Sequence, residues 1–159
     1  MVRDFESMTN ISKACREKLT AQATIVWPEV VTVEKSQDDT TKFLLRLEDG
    51  ALVETVLIPS DSREGVRRWT QCVSSQVGCA MGCTFCSTGQ MGFERNMTMG
   101  EILGQVLVAR AHLGDDRPEW PMLRNIVFMG MGEPLLNMGE LMRSLETLNN
   151  AKGLNFSPR

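Results

Sequence analysis

The segment Cys79-Ala-Met-Gly-Cys83-Thr-Phe-Cys86 places three thiols at spacings of four and three. On one tight loop they can close round a single metal centre, and thiolates, being soft, favour zinc or iron–sulfur clusters. The count of thiols decides what chemistry follows. A cubane cluster held by three cysteines keeps one iron open to a ligand that is not protein, and an amino acid's amine and carboxylate could chelate it. Zinc instead prefers a closed set of four ligands. Cys72 could complete such a set, which would make the chain a binding module rather than an enzyme. Iron with sulfide, or zinc without it, separates the two readings. Gly78, Gly82, Gly89 and Gly92 give the loop the backbone freedom it needs.

Other residues could do chemistry too. Glu54 shares a strand face with Leu52, Val56 and Ile58. A carboxylate on an apolar face has its charged form disfavoured, which suits a proton acceptor. Spacing alone favours the other reading, an edge charge that discourages aggregation. The turn Gly130-Met-Gly132-Glu133-Pro-Leu-Leu-Asn137 follows an apolar run, and glycine-rich turns after parallel strands are where such folds bind ligands. Arg63, Arg67 and Arg68 with Trp69 form the densest basic patch, read as part of a polar, solvated connection over 60–70. His112, the only histidine, sits near a helix end and is given no catalytic role, and Cys15 is read as a core residue.

The elements that must position these residues follow from periodicity. A short helix is expected over 9–20, capped by Thr9 or Asn10, with Ile11, Ala14, Cys15 and Leu19 on one face. Strands are expected at 29–36, 41–48 and 51–58, the last two joined at Asp49-Gly50 as a two-residue hairpin. They make a small antiparallel element outside any βαβ pattern. Gln71–Val77 reads as a strand running straight into the cysteine loop. A helix at 99–113 opens on the Thr98…Glu101 capping box, carries Ile102, Leu103, Val106, Leu107 and Arg110 as its stripe, and stops at 114–118. Asn125–Met129 reads as a strand buried on both faces, and a helix at 138–150 is capped by Asn137 with Glu140, with Leu141, Met142, Leu145 and Leu148 inward.

At 159 residues the chain can bury a real core, and no apolar run is long enough to span a membrane. Five cysteines, three clustered, and a charged N-terminus without a secretory pattern point to a reducing, cytoplasmic setting. The net charge of −3 argues against a small, purely electrostatic nucleic-acid binder, though not against a nucleic-acid enzyme with a local basic patch.

Three features coincide: Cys72-Val-Ser-Ser-Gln-Val-Gly-Cys79, the cysteine loop, and Met129-Gly-Met-Gly-Glu133-Pro-Leu-Leu-Asn137. Together they closely resemble the radical S-adenosylmethionine (SAM) adenine methyltransferases of the RlmN/Cfr family, the RlmN branch in particular. The resemblance implies a [4Fe–4S] cluster on Cys79, Cys83 and Cys86, with SAM on the open iron. Gly132 and Glu133 match the family's SAM-contacting pair, and Phe85 its aromatic before the last ligand. Glu54 matches the proposed proton acceptor, against the reading that spacing favours. Cys72 matches the cysteine that helps resolve the enzyme–RNA intermediate and pairs transiently, as a disulfide, with a methyl-carrying cysteine. The implied reaction methylates carbon 2 of adenine in 23S rRNA and tRNA. One SAM methylates a cysteine, and a 5′-deoxyadenosyl radical from a second SAM activates that methyl for addition to the base. An electron donor such as flavodoxin is implied.

By the same resemblance the family's chain is about twice as long, and the methyl-carrying cysteine is not among these residues. The expectation is therefore an internal, α/β fragment, inactive alone: the first two βα units of a partial (β/α)6 TIM-like barrel. The segmentation expected is a helical-domain remnant at 1–27, a small antiparallel β extension at 28–62, and truncated radical SAM core at 63–159. The stretch from Pro59 to Cys72, with its extra arginines, looks longer than usual in the family. A Cfr-like activity on carbon 8, or a radical SAM enzyme of another substrate class, stays open as an alternative.

Overall fold

The computed structural model describes residues 2–61, 67–115 and 122–156. Arg63, the boundary at 62/63 and Pro118 lie outside the described residues. The elements run α1 (Lys13–Gln22), β1 (Glu29–Lys35), β2 (Thr41–Arg46), β3 (Leu52–Asp61), β4 (Arg67–Cys72), β5 (Gln76–Gly78), α2 (Ser87–Gln90), β6 (Phe93–Asn96), α3 (Met99–Leu113), β7 (Leu123–Val127), a 3-10 turn at Pro134–Asn137, and α4 (Met138–Asn149).

Five strands form one mixed sheet in the order β1-β2-β3-β4-β7. The first three pairings are antiparallel, and β4 runs parallel to β7 with α3 in the connection between them. The antiparallel strands are therefore not a separate layer, because β3 pairs with β4 from Val56↔Cys72 to Asp61↔Arg67. That pairing also corrects the polar connection expected over 60–70: both flanks are strand, and Arg67, Arg68 and Trp69 lie on β4. Arg67 is not merely solvated, since it pairs with Asp39 at 2.7 Å and lies 5.5 Å from the Trp69 ring centroid.

Alternation along β2 and β3 sorts side chains between two faces. Phe43, Leu45, Val53 and Leu57 are buried with Ile102, Val106 and Ala109 of α3 in one core. Leu44, Glu54, Val56 and Cys72 fall on the opposite, partly open face. The turn between β2 and β3 is not the expected two-residue one: Leu47 N–H donates to Ala51 O around a three-residue loop at 48–50, and Gly50 takes a left-handed φ of 89°.

Helix α3 has the expected bounds, and its capping box is present. Gly114 ends it at φ 63°. Its buried arc is shifted from the expected stripe: Ile102 and Val106 are buried with Gly104, Gln105, Val108 and Ala109, while Leu103, Leu107 and Arg110 are half-buried. His112 packs edge-on against Phe43, 4.9 Å between centroids.

Several local expectations are corrected. Helix α1 starts later, on Ser12, whose hydroxyl accepts from Cys15 N–H. It buries none of its residues, so Cys15 is exposed rather than core. Strand β7 begins at Leu123, and only that residue is fully buried, because β7 is an outer strand with one side unpaired among the described residues. Asn137 precedes α4 but does not cap it, and Met142 is 48% exposed rather than inward.

Candidate metal centre

The expected single strand from Gln71 to Val77 is two strands in two sheets. β4 ends at Cys72, and β5 pairs with β6 in a separate antiparallel hairpin. Residues 79–92, the cysteine loop, are the connection of that hairpin. Its closure requires glycine: a Cβ on Gly78 (φ 72°) would lie 1.9 Å from Gly92 O, and one on Gly89 would lie 2.8 Å from Cys83 N. Backbone bonds from Cys79 N to Gly92 O (2.9 Å) and from Cys86 N to Cys83 O (3.1 Å) fold the loop on itself.

The polar break at Val73–Ser75 is satisfied from α3. The buried Gln105 amide accepts from Ser74 N–H (2.8 Å) and donates to Ser74 O (2.9 Å), replacing the ladder partners the chain has left. Gln71, also buried, donates to Thr55 Oγ1 and to Gln105 O, each at 2.9 Å.

The glycine-rich turn after β7 is lashed to the same place. Gln76 Oε1 accepts from Glu133 N–H (2.9 Å), while its Nε2 donates to Asn96 Oδ1 (2.8 Å). Asn137 donates to both Ser75 O and Met97 O at 2.8 Å, which is why it is not free to cap α4. Glu140, its expected capping partner, accepts instead from Met99 N–H at 2.7 Å. Gly132 has φ 93°, and a Cβ there would lie 2.5 Å from Gln76 Cβ. Glu133 turns its own carboxylate to Leu135 N–H (3.0 Å). The sheet thus delivers the run-in to the cysteine loop and the Gly132–Glu133 turn together, past the C-terminal ends of parallel β4 and β7. That is the end at which open α/β sheets bind ligands.

The three loop cysteines are free thiols of intermediate exposure. Hydrogen bonding from Gly89 N–H, and secondarily from Thr88, draws the Cys86 thiol below its ordinary pKa, toward the thiolate that a metal takes. Among the described residues, no group of three or more His, Cys, Asp or Glu side chains is already gathered for a metal ion. The loop fits a thiolate-ligated cluster by donor type, spacing and partial exposure, and its thiols would have to draw together on binding. Cys72, also a free thiol of intermediate exposure, differs in setting: it stands in the β4 ladder, and burial pushes its thiol up against a hydrogen bond from Met129. Phe85 is 90% exposed on the loop.

Glu54 does not meet an apolar surround. It lies on the open face, its Oε1 3.1 Å from Lys42 Nζ, which also pairs with Glu34 at 3.2 Å. The edge-charge reading misplaces it too, because β3 is an interior strand of the sheet. Cys72 sits opposite Val56 in the neighbouring strand, so Glu54 and Cys72 share that open face. Sequence reasoning did not single out Ser74, Gln76, Gln105 or Asn137 as positioning residues.

The geometry has counterparts among known proteins. A solved radical SAM methyltransferase from Sphaerobacter thermophilus superposes with a TM-score of 0.82 at 40% identity, covering 98% of this chain and 44% of that one. By fold and sequence the chain is thus similar to part of a radical SAM methyltransferase. A model of the ribosomal RNA large subunit methyltransferase N-terminal domain matches residues 1–25. Proteins described as dual-specificity RNA methyltransferase RlmN are 76% identical in Nitratidesulfovibrio vulgaris (strain DP4) and 62% identical in Lawsonia intracellularis, each over 99% of this chain. Along almost its whole length the chain is similar to these RlmN proteins, and it spans 43% and 44% of those two relatives' length.

Proposed function

We propose that this chain is the cluster- and SAM-holding part of a radical SAM RNA methyltransferase that methylates carbon 2 of adenine in 23S rRNA and tRNA. The observation that carries the reading is the convergence of the three-thiol loop and the Gly132–Glu133 turn past one end of the parallel β4–β7 pair. Cys79, Cys83 and Cys86 would hold a [4Fe–4S] cluster. Gly132, Glu133 and Phe85 would contact SAM. When bound, the cluster supplies the electron that splits SAM, itself received from a donor such as flavodoxin.

The chain's own residues do the rest. Glu54 accepts a proton from the methylated base, its carboxylate held on the open face by Lys42. Cys72, on the same face, supplies the thiol that releases the product by forming a disulfide with the methyl-carrying cysteine. Burial keeps Cys72 protonated until that step. The parallel β4-α3-β7-α4 succession supports reading these elements as the first two units of a partial (β/α)6 barrel, with accessory segments at 1–27 and 28–62. A cytoplasmic setting agrees with reduced thiols, and no helix among the described residues is long and apolar enough to cross a membrane. Carbon 8 methylation, zinc binding and another substrate class are not favoured by any feature of the site.

The test is methylation of 23S rRNA and tRNA by the intact cluster-loaded enzyme. The expected product is 2-methyladenosine, formed about a hundredfold more slowly in Glu54→Gln and stalled as an enzyme–RNA adduct in Cys72→Ala. Methylation at carbon 8, or none in either RNA, would overturn the proposal.

A further inference from the structure

Ser74 lies where β4 has ended and β5 has not begun, and it is fully buried. Its hydroxyl makes two hydrogen bonds to segments far apart in sequence. It donates to Glu54 O at 2.6 Å and accepts from Met131 N–H at 2.9 Å. The same two residues meet a second time, since Glu54 N–H points at Met131 Sδ at 3.3 Å. Around this point Gly130 N–H donates to Val73 O (3.1 Å) and Ser75 N–H to Met131 O (2.8 Å). Gly130 has no room for a side chain there: a Cβ would lie 2.7 Å from Ser74 Oγ.

The position asks for a hydroxyl. β4 leaves the sheet after Cys72, the last residue that pairs with β3, so the Glu54 carbonyl loses its cross-strand donor. The Met131 amide sits in a turn and has no ladder either. One atom that both donates and accepts serves both groups, and alanine would leave both buried and unpaired.

We propose that Ser74 is a positioning residue that couples Glu54 to the glycine-rich turn, so that the proton acceptor and the SAM-contacting pair keep a fixed relation. The inference rests on the roles proposed above for Glu54 and for Gly132–Glu133. The bridge itself stands on the hydrogen bonds alone.

Hydrogen exchange on the unaltered chain gives the first measurement. The Met131 amide should exchange as slowly as strand amides, although it lies in a turn. Ser74→Ala should speed its exchange about tenfold or more, while Leu45 and Val53 amides keep their rates. In the intact cluster-loaded enzyme, Ser74→Ala should lower kcat about tenfold and raise KM for SAM at unchanged iron content, by the same lost hydrogen bonds. In a Glu54→Gln background it should add no further loss of kcat, because it acts through Glu54. Fast Met131 exchange in the unaltered chain, unchanged exchange in Ser74→Ala, or fully additive kcat losses would overturn the coupling. Wild-type kcat in Glu54→Gln would instead overturn the proton-acceptor role and leave the bridge to be judged by exchange. Should Ser74→Ala fail to fold, the Met131 rate in the unaltered chain decides.

Discussion

Cys86 and Cys72 sit in opposed surroundings although fourteen residues apart. Gly89 N–H favours the Cys86 thiolate, and burial disfavours that of Cys72. In the metal-free chain at neutral pH an alkylating reagent should therefore modify Cys86 well before Cys72, as peptide mapping would show. The reverse order would contradict both environments. The three proposed ligands were legible in the sequence because their spacing is local, and one loop carries all three. Ser74, Gln76 and Asn137 were not, because their partners lie 20 to 62 residues away. Cys15 misled for the converse reason: a local apolar stripe says a face could be buried, not that anything covers it.

At the scale of elements, the break between β4 and β5 rests on Gln105. Gln105→Leu would keep the volume and leave Ser74 N–H and O buried without partners. The expected cost is about 2–4 kcal/mol, read as a lower urea midpoint. The α3 N-terminus gives a pH-dependent test. Burial opposes ionisation of Glu101, but Arg95 (2.8 and 2.9 Å) and the Thr98 amide outweigh it, holding its carboxyl below 4.5. The stabilisation from this lowered carboxyl is present in full above 4.5 and is lost as pH falls below that through the lower folded value. Glu101→Gln should thus cost about 1 kcal/mol at neutral pH, with the gap to wild type closing in acid. A gap constant with pH would contradict the Arg95 pairing. This helix was legible because a capping box is a four-residue signal. The strand break was not, because 71–77 keeps the composition of a strand throughout, and only a glutamine from α3 interrupts it.

At the scale of the whole molecule, the five-stranded sheet brings Glu54 on its antiparallel strands, and its parallel pair runs out to the glycine-rich turn and to the separate β5–β6 hairpin that holds the cysteine loop. The sequence patterns identified β1, β2 and most of β3, but the strand expected at 71–77 shares only Gln71 and Cys72 with β4, whose arginines disguised its start as loop, and β7 lies two residues earlier than expected. β7 leaves an unpaired edge among the described residues, and Met129 beyond it is 80% exposed. The chain studied alone should associate with itself as concentration rises, measured by sedimentation; a monomer at all concentrations would show that the edge is protected.

The central claim is that Cys79, Cys83 and Cys86 hold a cluster with one iron open, and metal analysis tests it most directly. After anaerobic reconstitution the chain should contain about four iron and four sulfide per molecule. That content should be lost in Cys83→Ala and kept in Cys72→Ala and Cys15→Ala. Added SAM should shift the reduced cluster's electron paramagnetic resonance spectrum. Stoichiometric zinc without sulfide after native purification, lost equally in Cys72→Ala and Cys83→Ala, would contradict the account.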